Sequence, residues 1–191
     1  MIVYRNATPD DLPGVSDLQK KYHVSTIREE DKADGFVTTL FTPEQFLSLI
    51  KDENGLAVAC DGEKIISYAM AASWDYWSPW PLFQHMIADL HTITYLGRVL
   101  DTKNSYQYGP VCIDKDYRGI GVLEHIFEFS RRQMADRFPV MVTFINQINP
   151  RSYDAHVRKV GMELLKTFEF NNNQYYELGY DMRRQVPGTR L

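Results

Sequence analysis

This sequence predicts an α/β domain of the α+β kind, and three observations predict it. Two stretches open helices with one signature, Thr8-Pro9-Asp10-Asp11 and Thr42-Pro43-Glu44-Gln45. Apolar runs of strand length recur at about 56–60, 64–72, 106–113 and 140–145. The third of these leads into a glycine turn, Arg118-Gly119-Ile120-Gly121, after which apolar residues return at helical spacing. No repeat, low-complexity tract or linker divides the 191 residues, so one domain over 1–191 is expected.

The elements follow in order. Residues 2–5 read as a short strand. Thr8 is a hydroxyl N-cap with proline at the first helical position and acids in the first turn; Leu12, Val15 and Leu18 carry that helix to about Lys21. Residues 24–39 are polar and irregular, with Asp34-Gly35 as a turn signal. Thr42 with Gln45 forms a capping box, and Phe46, Leu47, Leu49 and Ile50 supply an apolar face that Asn54-Gly55 ends. Strands at 56–60 and 64–72 meet across the tight turn Asp61-Gly62.

An aromatic-rich insertion then spans about 74–104, with Trp74, Tyr76, Trp77, Trp80 and Phe83 interrupted by Pro79 and Pro81 and a helical pattern over 82–90. Its aromatics have two readings: walls of a pocket for a cationic amine, or packing onto the core or onto a second subunit, which leaves a homodimer open. After the strand at 106–113 and the glycine turn, Val122, Leu123, Ile126, Phe127 and Met134 form the buried side of a helix. A strand at 140–145, a helix from Asn149-Pro150 to near Gly161, and a hairpin of 164–170 with 175–182 complete the chain.

Composition excludes several function classes. A hydrophobic share of 44% with 24% charged residues is that of a soluble globular protein. No apolar run approaches the roughly 20 residues of a bilayer span, and the N-terminus lacks a signal-peptide pattern, so a cytoplasmic protein without membrane contact is expected. The net charge is −4 and the basic residues are scattered, which disfavours nucleic acid. Cys60 and Cys112 sit in strand-like runs and read as small buried side chains, the alternative being a thiol near a thioester. No histidine pair has metal spacing, so no metal is expected.

A glycine turn between strand and helix is an anion site, because amides converge there and the helix dipole adds partial positive charge. Gly119 and Gly121 leave room for a pyrophosphate; Arg118 either pairs with a phosphate or braces the turn. A dinucleotide fingerprint would need a third glycine where Glu124 stands, and a P-loop would need a lysine followed by Ser or Thr; neither is present.

The run Val111-Cys112-Ile113-Asp114-Lys115-Asp116-Tyr117-Arg118-Gly119-Ile120-Gly121 resembles motif A of the Gcn5-related N-acetyltransferases. Asn149-Pro150-Arg151-Ser152, Ala155-His156 and Gly161-Met162 resemble their motif B. The resemblance implies a central mixed, mostly antiparallel twisted sheet, splayed at the cofactor site and flanked by helices. It implies acetyl-CoA as acyl donor, with backbone groups of Val111, Cys112 and Ile113 along the pantetheine. The amides of Gly119, Ile120, Gly121, Val122, Leu123 and Glu124 would hold the pyrophosphate, beside Arg118. Asn149 and Ser152 would lie near the thiol end. The implied reaction is direct acetyl transfer to an amine of a small molecule or a protein.

Leu123 departs from the pattern, which wants Gly or Ala there. The proton donor for the thiolate is a tyrosine on the motif B helix in many relatives. Counting seven on from Asn149 gives His156, and counting four back from Gly161 gives Val157, so one extra residue is expected in this helix or its end. His156 titrates near neutral pH and is the first catalytic candidate; Tyr153, one turn earlier, is the second. The strands beside the thioester carry no carboxylate to act as base. Water ordered by Tyr106, Tyr108 or a backbone carbonyl is the default base, with Asp75, Asp89 and His85 of the insertion as alternatives. A coenzyme A-binding module without catalysis, and an enzyme using another acyl-CoA such as succinyl-CoA, are the competing readings.

Overall fold

A computed structural model describes residues 1–190. Strand β1 (Ile2–Asn6) is followed by a 3-10 turn at Pro9–Asp11 and by helix α1 (Leu12–Lys21). Asp11 holds this entry: its carboxylate accepts from the Thr8 amide at 2.7 Å and takes two bonds from Arg5. Helix α2 (Pro43–Ser48) carries the expected capping box, with reciprocal bonds between Thr42 and Gln45. It widens into a π-turn at Leu49–Glu53 and stops at Asn54, whose φ of 52° is left-handed.

Strands β2 (Leu56–Asp61) and β3 (Lys64–Ala72) form the first hairpin. The insertion contains α3 (Trp74–Trp77), α4 (Pro81–Asp89) and a small hairpin of β4 (Thr94–Tyr95) with β5 (Arg98–Val99). Then come β6 (Ser105–Ile113), α5 (Val122–Met134), β7 (Val140–Asn146), α6 (Pro150–Asp154) with a π-turn at Ala155–Val160, β8 (Glu163–Phe170) and β9 (Asn173–Asp181). The expected elements are found, with small changes at their ends. Among the described residues no helix is long and apolar enough to cross a membrane.

Seven strands make one sheet in the order β1-β2-β3-β6-β7-β9-β8. All neighbours are antiparallel except β6 and β7, which are parallel. Alternation along β7 shows how the faces divide: Val140, Val142 and Phe144 join the core under α1, α2 and the insertion, while Met141 and Ile145 join the core under α5. Both faces are therefore covered.

The sheet opens at its parallel seam. β6 and β7 pair only from Ser105↔Val140 to Gln107↔Val142. Beyond that point β6 stays with β3 as far as Ile113, and β7 stays with β9 as far as Asn146. Three steps on β6, from Tyr108 to Val111, answer two on β3, so β6 bulges at Gly109-Pro110. Gly109 takes a φ of 100°, which suits glycine, and Thr143 Oγ1 donates to the Tyr108 carbonyl at 2.7 Å across the fork. This leaves one edge of β6 without a strand partner, as expected for a splayed sheet.

The insertion is core and wall at once. Trp74 and Trp77 are fully buried, and the Trp77 ring lies 4.7 Å from that of Phe83. Two polar contacts fasten it to β8: Lys166 with Asp89, and the Tyr95 hydroxyl with Glu163. Its aromatics are thus packed on their own sheet, so they give no basis for the homodimer left open by the sequence.

Candidate active site

Two cavities open from the fork. One, about 330 Å³, is a channel lined by Val111, Cys112 and Ile113 of β6, by the glycine turn and the start of α5, and by α6. The other, about 650 Å³, is a chamber between β7, the insertion and the 36–39 segment. Phe36, Val37, Val111, Asn149, Ser152 and His156 line both, so the cavities meet there.

The turn at the channel is built by a buried carboxylate. Asp114, only 2% exposed, receives Lys21 at 3.2 Å, Lys64 at 3.1 Å and the Tyr22 hydroxyl at 3.1 Å, and it caps the next turn through the Asp116 amide. Burial by itself lifts this carboxyl, but these bonds outweigh it and hold the pKa at about 2. Arg118 is committed to the protein: Nε donates to the Ile113 carbonyl at 3.0 Å, Nη1 to the Asp34 carbonyl at 2.8 Å, and the guanidinium lies over the Tyr22 ring. Of the two roles open to it, Arg118 braces the turn.

Gly119 and Gly121 take φ of 81° and 92°, and a side chain at Gly119 would meet empty space. Gly121 is the N-cap of α5, and the first turn of a helix has no internal partners for its amides. Gly119, Gly121, Val122, Leu123 and Glu124 stand on the channel wall; Ile120 is exposed and off it, so its amide is what it can offer. Leu123 packs toward the α5 core, which is how the turn accommodates a bulky residue where the family pattern wants a small one. Lys159 also lines the channel and makes no ion pair among the described residues. Sequence reading missed it because a lone lysine near a helix end carries no motif.

On the far wall Asn149 caps α6, its Oδ1 accepting from the Ser152 amide at 3.3 Å. His156 follows at one turn and is buried. Its Nδ1 lies 2.7 Å from the Ser152 carbonyl, and a carbonyl only accepts, so Nδ1 carries the proton and Nε2 carries the lone pair. Burial lowers the imidazole pKa below its usual 6.5, partly offset by the bond to Ser152. The ring is therefore neutral at pH 7, with an unprotonated Nε2 that has no partner among the described residues. It is set to accept a proton before it can donate one, which reverses the order expected for an acid.

The conflict between the two residue counts has a physical cause. The helix widens to a π-turn at Ala155–Val160, and such a turn holds one more residue than an α-turn. His156 consequently faces the junction while Val157 packs into the α5 core.

Two catalytic candidates need correction. The Tyr153 ring packs at a tilt against Tyr176, centroids 4.2 Å apart, and lines neither cavity, since it sits about 100° around the helix from Ser152. Tyr108 borders the chamber, but its ring packs edge-on against Phe127 in the α5 core. Its hydroxyl is buried without a partner among the described residues, and burial raises its pKa well above normal. Tyr106 is likewise fully buried. Of the alternative bases, Asp75 is exposed, Asp89 is bound to Lys166, and His85 lies against Phe168 and Phe170; none lines the chamber. Cys112 is a packing residue, its thiol pushed up to about 12 by burial. The 36–39 segment lines the chamber, and its apolar pair Phe36-Val37 within a polar, irregular stretch is the sequence signal for it.

No protein-family model and no curated protein matches this sequence. Solved structures do resemble it. The ribosomal-protein-S18-alanine N-acetyltransferase of Escherichia coli superposes with a TM-score of 0.61 at 9% identity, over 100% of both chains. The yncA protein of Salmonella typhimurium, solved with its cofactor acetyl-CoA, gives 0.63 at 11% over 99% of each chain. An N-acetyltransferase of Staphylococcus aureus gives 0.61 at 14%, over 95% of this chain and 99% of that one. At such identities the likeness is one of fold.

Proposed function

We propose that this chain, which has the fold of the Gcn5-related N-acetyltransferases, transfers an acetyl group from acetyl-CoA to an amine. The observation that carries the proposal is the meeting of a phosphate-suited channel and a separate chamber at His156. The channel suits the donor on its own chemistry: two left-handed glycines, the first-turn amides of α5, Lys159 and the edge of β6, the last two without ion pair or strand partner among the described residues. Acetyl-CoA supplies an activated acyl carbon as a thioester.

The chain's own part is to orient and to move one proton. Amines are mostly protonated at pH 7, so the ammonium first gives one proton to solvent, which frees the nitrogen lone pair for attack. His156 Nε2 takes a second proton from that nitrogen as the new N–C bond forms, while the Nδ1 bond to the Ser152 carbonyl fixes the ring. The same proton then passes from Nε2 to the sulfur as the C–S bond breaks, which returns His156 to its neutral form. One histidine thus serves both steps, and no carboxylate is required on the strands.

Calorimetry with acetyl-CoA tests the channel, and thiol release with His156→Gln tests the proton path. The variant should bind acetyl-CoA within a few-fold of the parent and lose about 10²–10⁴ in turnover. In the parent, activity should fall as pH drops through the lowered histidine pKa, below 6.5, and the variant should lack that limb. Unchanged turnover in His156→Gln would refute the role.

A further inference from the structure

Charged residues make up 24% of the chain, yet among the described residues no Asp, Glu, Lys or Arg stands on the wall of the chamber. The adjoining channel, smaller than the chamber, carries Asp34, Arg118, Glu124, Arg151 and Lys159. The contrast is between two parts of one site. The chamber wall instead sets aromatic rings among neutral Thr, Asn and Gln side chains: Phe36, Phe41, Trp80, Phe83, Phe144 and Phe170 come together there from the 36–41 segment, the insertion, β7 and β8. Glu177, two residues beyond Tyr175 on β9, is buried and off the wall.

From this wall we infer that the acceptor is a small primary amine on an aromatic body, with no charge other than that of the amine itself. The inference rests on the acetyl-transfer reading and narrows it. A second cation, as in a polyamine, would enter with no carboxylate to pair with, and an acidic acceptor would find no Lys or Arg. The one ammonium can rest against ring faces, which attract a cation. Desolvation in the same chamber lowers the pKa of the amine, which eases loss of the ammonium proton to solvent before attack. The neutral amide product then loses the cation–ring attraction that held the amine. A volume of about 650 Å³ suits a ring-bearing small molecule.

Competition between amines tests this on the full chain with saturating acetyl-CoA. Phenethylamine and tryptamine are compared with spermidine and with a lysine-containing peptide by thiol release. The aryl amines should exceed the others in kcat/KM by about tenfold or more, the scale of losing an aromatic contact. Trp80→Asp should cost the aryl amines about tenfold and raise spermidine, with acetyl-CoA binding unchanged. Leu82→Asp, at a second wall position, gives the same test if the first variant fails to fold. Calorimetry of each amine on the coenzyme A-saturated protein supplies a readout that does not need turnover.

If acetyl-CoA binds but spermidine or the peptide is preferred, the acceptor inference is overturned and acetyl transfer stands. If acetyl-CoA binds and neither aryl amine binds nor reacts, the inference is again overturned. If acetyl-CoA itself fails to bind, the acetyl-transfer reading falls and takes the inference with it.

Discussion

Glu177 offers a measurement in which a single buried carboxyl should govern the pH dependence of stability. It lies on β9 opposite Phe144 of β7 and Lys166 of β8, is 1% exposed, and its Oε1 has no hydrogen-bond partner among the described residues. Lys166 favours its ionised form but is engaged by Asp89, and burial prevails, so the carboxyl pKa is raised from 4.5 to about 7. Between those two values the folded chain keeps a proton that the unfolded chain has lost. Stability therefore falls as pH rises from 4.5 to about 7 and is level above it. The shift corresponds to about 3 kcal/mol. Glu177→Gln keeps the shape and removes the ionisation. At pH 8 the variant should be more stable by about 3 kcal/mol, or roughly 6–12 °C in Tm for a chain of this size, and at pH 5 the two should agree within ~1 kcal/mol. Urea and thermal unfolding at both pH values read this directly. A variant less stable than the parent at pH 8, with the parent's slope unchanged, would show that Glu177 is ionised and paired.

Two further outcomes follow from the turn at the channel. Gly121→Val places a β-branched residue at a φ of 92°, so it should cost about 1–2 kcal/mol and abolish acetyl-CoA binding by calorimetry. Asp114→Asn should cost about 2 kcal/mol at pH 7, as judged by urea unfolding, and should weaken acetyl-CoA binding by loosening the turn. In the parent this contribution is present above pH 3.8 and is lost as pH falls through about 2, so the variant should show a flatter acid limb.

What the sequence revealed of this molecule was what is encoded locally. Thr42 with Gln45, Asp61-Gly62, Gly119 and Gly121 act on their own neighbours, and each lies where its local chemistry requires. The chamber is different. Phe36, Trp80, Phe144 and Phe170 are far apart in sequence and meet only because the insertion folds over the open fork, and no local pattern records that meeting. Alternation along β6 did contain a warning about Tyr108. It shares its face with Tyr106, and both rings go under α5 rather than toward the fork. Counting along α6 from its two ends gave neighbouring residues, because a count assumes a constant number per turn, and the extra residue it implied lies in the π-turn.

The π-turn at Ala155–Val160 also bears on how a site like this one changes through descent. The helix is anchored at one end by the Asn149 cap and at the other by Gly161, whose φ of 87° closes it. Between two anchored ends, gain or loss of a single codon rotates the intervening side chains by about 100° relative to the junction. Deleting one residue between Asn149 and His156 would exchange the imidazole for the isopropyl group of Val157 while leaving both anchors in place. For this helix, chain length decides which side chain faces the junction, separately from any amino-acid replacement.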